Sequence, residues 1–193
     1  MFDSPNTAPV FRRAVPPCNR TSGFTLIELL TVIAIIAILA AISFGVFRGV
    51  SENSARSLAR AELSSLSVAL ESYKRQYGDY PQVESATDAN ANVLQALIGR
   101  RGPTGADMTR KALIEFSKFS VNGDPETTST ATLQDPWGRD YHYHYRTVGS
   151  ATWTNPSYVL YSLGPDGLET APTGAGVVDF DDSNNLDNLY ANR

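Results

Sequence analysis

Three groups of side chains in this sequence are of types and spacings that could carry chemistry. Near the C-terminus, SLGPDGLETAPTGAGVVDFDDSNN is acidic and glycine-rich, with Asp166, Asp179, Asp181 and Asp182 supplying charge. A hard cation such as calcium takes about six to eight oxygens from carboxylates and backbone carbonyls, and glycines let a chain curl so that carbonyls converge. The D-x-D-x-D-G spacing of an EF-hand is missing, so the residues alone leave a cation loop and a solvated acidic tail both open. His142 and His144 stand two apart, a spacing that binds zinc or copper when other ligands complete the site. Two ligands do not make a site and no cysteine lies downstream of residue 23, so ordinary cross-strand packing is expected of this pair. The third group is a lone carboxylate, Glu28, at the start of an otherwise uncharged run. An acid in an apolar setting is costly unless paired; close to one membrane face it can instead reach the headgroups.

Other chemistries find no support. The sequence has no G-x-S-x-G, no H-E-x-x-H and no G-K-[ST] loop, and GAG at 174–176 lacks the third glycine of a nucleotide turn. The single cysteine, Cys18, has no apolar segment before it, which argues against a lipoprotein signal. An enzyme is therefore not expected. Arg12, Arg13 and Arg20 against Asp3 leave the first 23 residues at +2, so of the overall −4 the remainder carries −6. An acidic body without a basic, aromatic-studded patch excludes a phosphate-binding surface, and no nucleic-acid partner is expected.

These groups need elements to position them. Residues 29–47 form a run of nineteen with no charge and no proline. As a helix it would be roughly 28 Å long, one hydrocarbon thickness. That is longer than a secretory h-region, and the arginines before it predict a cytoplasmic N-terminus with an exported body. Beyond it Ala55, Leu58, Ala59, Leu63, Leu66, Ala69, Leu70, Tyr73 and Tyr77 recur at three- and four-residue spacing until Gly78 and Pro81. The reading is one helix over 24–77 of roughly 80 Å, transmembrane over 24–50 and then amphipathic, with a sheet packed on its apolar stripe. Gly45 and Gly49 either soften that helix or admit a close helix neighbour.

Val93, Leu94, Leu97 and Ile98 predict a short helix ending at Gly99, and a second is expected around 109–119. RRGPTG and NGDPETTSTAT read as loops, and Arg100, Arg101, Arg110 and Lys111 as a solvated basic face. Tyr141, Tyr143 and Tyr145 alternate with His142 and His144, a strand with two distinct faces, and 157–163 reads as its antiparallel partner. Trp137 and Trp153 are expected to plug the core. The fold class is α+β, a long N-terminal helix on a small C-terminal antiparallel sheet.

GFTLIELLTVIAIIAILAA resembles the leader junction of type IV pilins and type II secretion pseudopilins, and DPWGRDYHY with YSLGPDG is most like the major, G-type pseudopilin. These stretches cover about half the chain. The resemblance implies the pilin fold, with a leader over 1–23, an assembly helix over 24–50 and a periplasmic body over 51–193. It implies cleavage after Gly23 by a prepilin peptidase, methylation of Phe24, and a pairing of Glu28 with the Phe24 amine of a neighbouring copy. It also implies calcium in the C-terminal loop, held by Asp166, the carbonyls of Leu163 and Leu168, and a second part at Asp181, Asp182 and Ser183; the stretch ETAPTGAGVVDF between these parts is longer than the family leads one to expect. The expected partners are further copies, other pseudopilins, the secretion assembly platform and the inner membrane. A type IV pilin or minor pilin-like subunit of a surface fibre, and a membrane-tethered binding protein that never polymerises, remain the alternatives.

Overall fold

A computed structural model describes residues 23–85 and 87–192, with the side chains of 42–50 outside the described set. The expected leader with its arginines and Cys18, and the packing expected around Gly45 and Gly49, lie outside the described residues. The chain divides into two units, Met1–Gly45 and Val46–Arg193.

Helix α1 runs Leu26–Tyr77. Within the first unit its described large apolar side chains are exposed, among them Leu26, Ile27, Leu30, Ile33 and Ile36. Among the described residues, no helix is long and apolar enough to cross a membrane; the uncharged run 29–47 passes into 42–50, whose side chains are not among those described.

Within the second unit α1 is amphipathic in the expected register. Ala59, Leu63, Leu66, Ala69, Leu70 and Tyr73 are buried, whereas Leu58 is 52% exposed and does not belong to the stripe. Leu58 precedes Ala59 by one residue, and about 100° of helical turn carries it off the buried face. Gly78 closes the helix at φ 85°, its N–H bonded to the Lys74 carbonyl at 2.7 Å. A left-handed residue there spares a side chain its steric penalty and satisfies a terminal carbonyl.

Helix α2, Ala89–Leu97, is buried on nearly all sides. Its Asn90 accepts from the Leu133 N–H at 2.8 Å and donates to the carbonyls of Leu133 (2.9 Å) and Tyr141 (2.6 Å), so one buried amide ties two strand segments together. The second expected helix is absent: the segment 109–119 holds only a 3-10 turn, Phe116–Lys118. Strands β1 (Ser120–Asn122) and β2 (Thr132–Gln134) pair antiparallel, so NGDPETTSTAT is a hairpin connection. Of the basic cluster, Arg100, Arg110 and Lys111 are exposed, as expected of a solvated face, whereas Arg101 is half-buried. Arg100 donates to the carbonyls of Pro125 and Glu126, and Arg101 pairs with Glu84 at 2.8 Å, which staples the loop regions around α2.

A second sheet has the order β3 (His142–His144), β4 (Val159–Ser162), β5 (Leu189–Tyr190), all antiparallel. The predicted β3–β4 pair is present; β5 was not anticipated. Strand β4 is central and buried along its whole length. Tyr158 and Leu160 join the core built on α1 and α2, while Val159, Tyr161 and Leu163 form a second cluster with Trp153, Val178 and Tyr190. Trp137 packs on the first core and Trp153 on the second, as expected of plugs. The α+β architecture is thus a helix on one face of the sheet and the excursion 163–188 on the other.

Candidate functional site

At the N-terminal junction, Phe24 is exposed and Glu28 turns back on its own helix. Glu28 Oε2 accepts from the Thr25 N–H at 3.2 Å and the Thr25 hydroxyl at 3.1 Å, and Thr25 Oγ1 accepts from the Glu28 N–H at 3.3 Å. Thr25 precedes the first helical residue, so T-L-I-E is a capping box, in which threonine and glutamate satisfy each other's backbone donors. The [ST]-x-x-[DE] spacing ahead of an apolar run was available in the sequence and gives Glu28 a partner that needs no second copy.

The C-terminal loop is built on the turn DPWGRD. Asp135, 1% exposed, accepts from the backbone N–H groups of Trp137 (3.0 Å) and Arg139 (2.9 Å) and from the Ser162 hydroxyl (2.6 Å). Ser162 Oγ in turn accepts from the Gly164 N–H, and the Arg139 guanidinium donates to the carbonyls of Gly164 (2.6 Å) and Pro165 (3.3 Å). These contacts pin the start of GPDG to the sheet. Gly164 has φ 67°, and a Cβ there would lie 2.6 Å from the Asp187 carbonyl oxygen. Only glycine allows 163–168 and 187–188 to approach so closely.

That approach brings oxygens together. Leu168 N–H donates to Asp166 Oδ1 at 2.9 Å, and Asp166 N–H faces Asp187 Oδ2 at 3.4 Å. The Asn188 side-chain oxygen lies 2.9 Å from the Leu163 carbonyl and 3.3 Å from the Leu168 carbonyl, an acceptor against two acceptors. Turned over, the amide would donate to both carbonyls and set its oxygen against Asn185 Oδ1. Asn185 is locked, its nitrogen donating to the carbonyls of Thr170 (3.0 Å) and Asp179 (2.7 Å) and its oxygen accepting from the Thr170 N–H (3.0 Å). In the present orientation the Asn188 nitrogen donates to Asn185 Oδ1 at 3.0 Å. With the amide oxygen toward the two carbonyls, three oxygens converge beside two carboxylates, a set that suits a hard cation; with the amide turned over it is a hydrogen-bonded turn.

The residues expected to hold an ion fall at two places in the loop. Leu163, Asp166 and Leu168 share this turn. Asp182 instead caps a 3-10 turn, Ser183–Asn185, by accepting from the Asn184 N–H at 2.9 Å, and the Asp181 N–H donates to Asp179. Ser183 is the first residue of that same turn. The residues that stand beside Leu163 and Leu168 are Asp187 and Asn188, positioned by Asn185. DDSNNLDN offers several oxygen side chains, and nothing in the spacing says which of them folds inward.

On the outer face of the sheet lie His142 and His144. Tyr161 stacks on the His144 ring at 5.8 Å between centroids and lies tilted against His142 at 5.4 Å, and Glu169 from the excursion reaches His142 Nδ1 at 3.4 Å. Burial holds His144 below the usual imidazole range, outweighing the nearby Glu169 charge.

With the fold in place, known proteins can be set beside it. A family model described as "Prokaryotic N-terminal methylation motif" matches residues 18–44, and one described as "Type II secretion system (T2SS), protein G" matches residues 47–178. The "Type II secretion system core protein G" of Pseudomonas aeruginosa is 30% identical over 151 residues, covering 78% of this chain and 88% of its own length. That of Klebsiella pneumoniae is 30% identical over 151 residues, covering 78% and 89%. The Aeromonas hydrophila protein reaches 37% over 123 residues, covering 64% and 72%. No solved structure matches the chain. The second match spans well over half of the sequence and includes both the DPWGRD turn and GPDG, so this chain belongs to the type II secretion system protein G family.

Proposed function

We propose that the chain is a structural subunit of a type II secretion pseudopilus and not an enzyme. The precursor crosses the inner membrane once through the run that begins after Glu28, with its N-terminus cytoplasmic and its body periplasmic. A prepilin peptidase cuts after Gly23 and methylates Phe24. The mature chain then polymerises on the secretion assembly platform with further copies and with other pseudopilins. The observation that carries this reading is the set of exposed apolar side chains at Phe24 and on the first turns of α1 to Ile36, within the methylation-motif match. Lipid covers such a surface before assembly and neighbouring helices cover it afterwards.

In this reading Glu28 changes partner. In the single chain it completes its own helix cap; in the filament its carboxylate meets the α-ammonium that cleavage creates on a neighbouring Phe24. Two variants separate these roles. Glu28→Gln keeps a capping side chain and loses the charge, whereas Glu28→Ala loses both. Crosslinking in secreting cells should show polymer lost in both variants. Polymer at the wild-type level in Glu28→Gln would show that the cap, not the ion pair, is what the glutamate provides. Intact mass of the membrane-purified chain should give a methylated N-terminus at Phe24.

We further propose calcium for the C-terminal loop, held by the carbonyls of Leu163 and Leu168, Asn188 and the carboxylates of Asp166 and Asp187. When bound, the ion neutralises this oxygen cluster and ties 163–168 to 187–188, in a chain that has no cysteine in its mature part to do so by a disulfide.

A further inference from the structure

The chain has only two histidines, and both face Glu169 on the outer side of the sheet. One ligand atom from each of His142, His144 and Glu169 lies within 4.8 Å of the others, the one such trio of His, Cys, Asp or Glu among the described residues. From this juxtaposition we propose a second metal site, distinct from the oxygen loop, that takes a divalent transition ion of the zinc class.

The His142–Glu169 separation fits an ion pair and also fits two ligands that share a metal. His142 Nδ1 and Glu169 Oε1 are 3.4 Å apart, beyond the roughly 2.7–3.2 Å of an N–H···O bond. Two ligands each about 2.0–2.1 Å from a tetrahedral zinc stand roughly 3.3–3.4 Å from one another. The two imidazoles reach the same face because they are two apart on β3, and cross-strand pairing sets Tyr161 opposite His142. The Tyr161 hydroxyl donates to Glu169 Oε2 and lies 3.2 Å from His144 Nε2. It thus fixes the carboxylate with Oε1 turned toward His142. Such outer hydrogen bonds orient ligands in metal sites. Two imidazoles and one carboxylate suit zinc, copper, nickel or cobalt and not calcium, which takes oxygen. The fourth position is left for water.

The site would clasp the excursion 163–188 to the strands beneath it, because Glu169 is the only ligand that the excursion supplies. Sequence spacing yields the two histidines and stops there. Glu169 lies far along the chain, and only the antiparallel return through β4 brings it over them.

The test uses the full chain in detergent, stripped with chelator, without a histidine tag and with Cys18→Ser to remove the only thiol. Excess calcium is kept present so that the oxygen loop is in one state. Titration with zinc by calorimetry should give one ion per chain, and cobalt should give the visible bands of a low-coordinate site that zinc then bleaches. His144→Ala and Glu169→Gln should each abolish stoichiometric uptake, and Glu169→Gln should do so with metal-free melting at the wild-type value. Glu169→Gln keeps an acceptor for Tyr161 and carries the test should His144→Ala fail to fold. Absence of zinc uptake by the parent chain, or uptake unchanged in Glu169→Gln, overturns the proposal.

Discussion

The two faces of the three-stranded sheet are covered in different ways. The inner face rests on the stripe of α1 and on α2, and its contacts are Leu, Ala and Tyr side chains at helical spacing. The outer face lies under the excursion 163–188, where Val178 and Tyr190 supply a small apolar cluster and most of the ordering comes from Asp135, Arg139, Asn185, Asn188 and the Tyr161–Glu169 pair. A helix presents a continuous apolar surface because its own backbone is satisfied internally. A loop must have its backbone groups satisfied by side chains, so its cover is polar and specific. The inner face should accordingly respond to lost volume and the outer face to lost ions.

The largest expected effect is on the inner face. Leu66 is fully buried in the stripe, and Leu66→Ala should cost about 2–5 kcal/mol by lost burial and a residual cavity. Ile33→Ala, on the exposed part of the same helix, should leave the unfolding midpoint of the body unchanged. Urea unfolding of the detergent-solubilised chain reads both. Equal losses would mean that the apolar stripe is not what holds the sheet.

On the outer face the expected effect is conditional. With calcium at about 100 times its dissociation constant, binding to the folded chain alone adds about 2.7 kcal/mol. Melting should therefore fall on chelation in the wild type and be insensitive to chelation in Asn188→Ala. A calcium increment that survives in Asn188→Ala would move the ion elsewhere, and Asp182→Ala then tests the ligand set that the sequence suggested.

What could be read in the sequence follows the same division. Periodicity found the stripe, the short helix ending before Gly99 and the β3–β4 pair, because each buries side chains at a spacing its backbone imposes. It misplaced Leu58, a single residue off the face, and expected a helix at 109–119 where only a 3-10 turn forms. It was blind to Asn90, which ties Leu133 and Tyr141 over more than forty residues of chain. The outer face was legible only as far as its local motifs. GPDG marks a turn and the histidines mark a strand face, but that Asp187 and Asn188, not Asp181 and Asp182, stand by Leu163 depends on how a long excursion returns. The capping box at Thr25 and Glu28 is the reverse case, a local signal present in four residues.

The smallest expected effect lies at the two ends of the inner face, where polar contacts are linked to protons. At one end Tyr141 donates to Glu62 at 2.5 Å, and burial leaves the Glu62 carboxyl above its usual range although that hydrogen bond pulls the other way. At the other end burial also acts on Asp79, but bonds from Tyr145, Gln82 and the Tyr80 N–H, with the Arg146 charge, outweigh it and hold the carboxyl low. The linkage signs are opposite. Glu62 contributes stability below its unfolded value near 4.5 and loses it as pH rises through the raised folded value. Asp79 contributes above its unfolded value near 3.8 and loses it as pH falls through the lowered one. Relative to wild type, Glu62→Gln should therefore gain stability as pH climbs from 4 to 8, whereas Asp79→Asn should be weaker at neutral pH and converge with wild type on acidification below 4. Urea midpoints across that range, with calcium held in excess, read both slopes. Parallel slopes in the two variants would show that these carboxyls are not the proton-linked groups of the inner face.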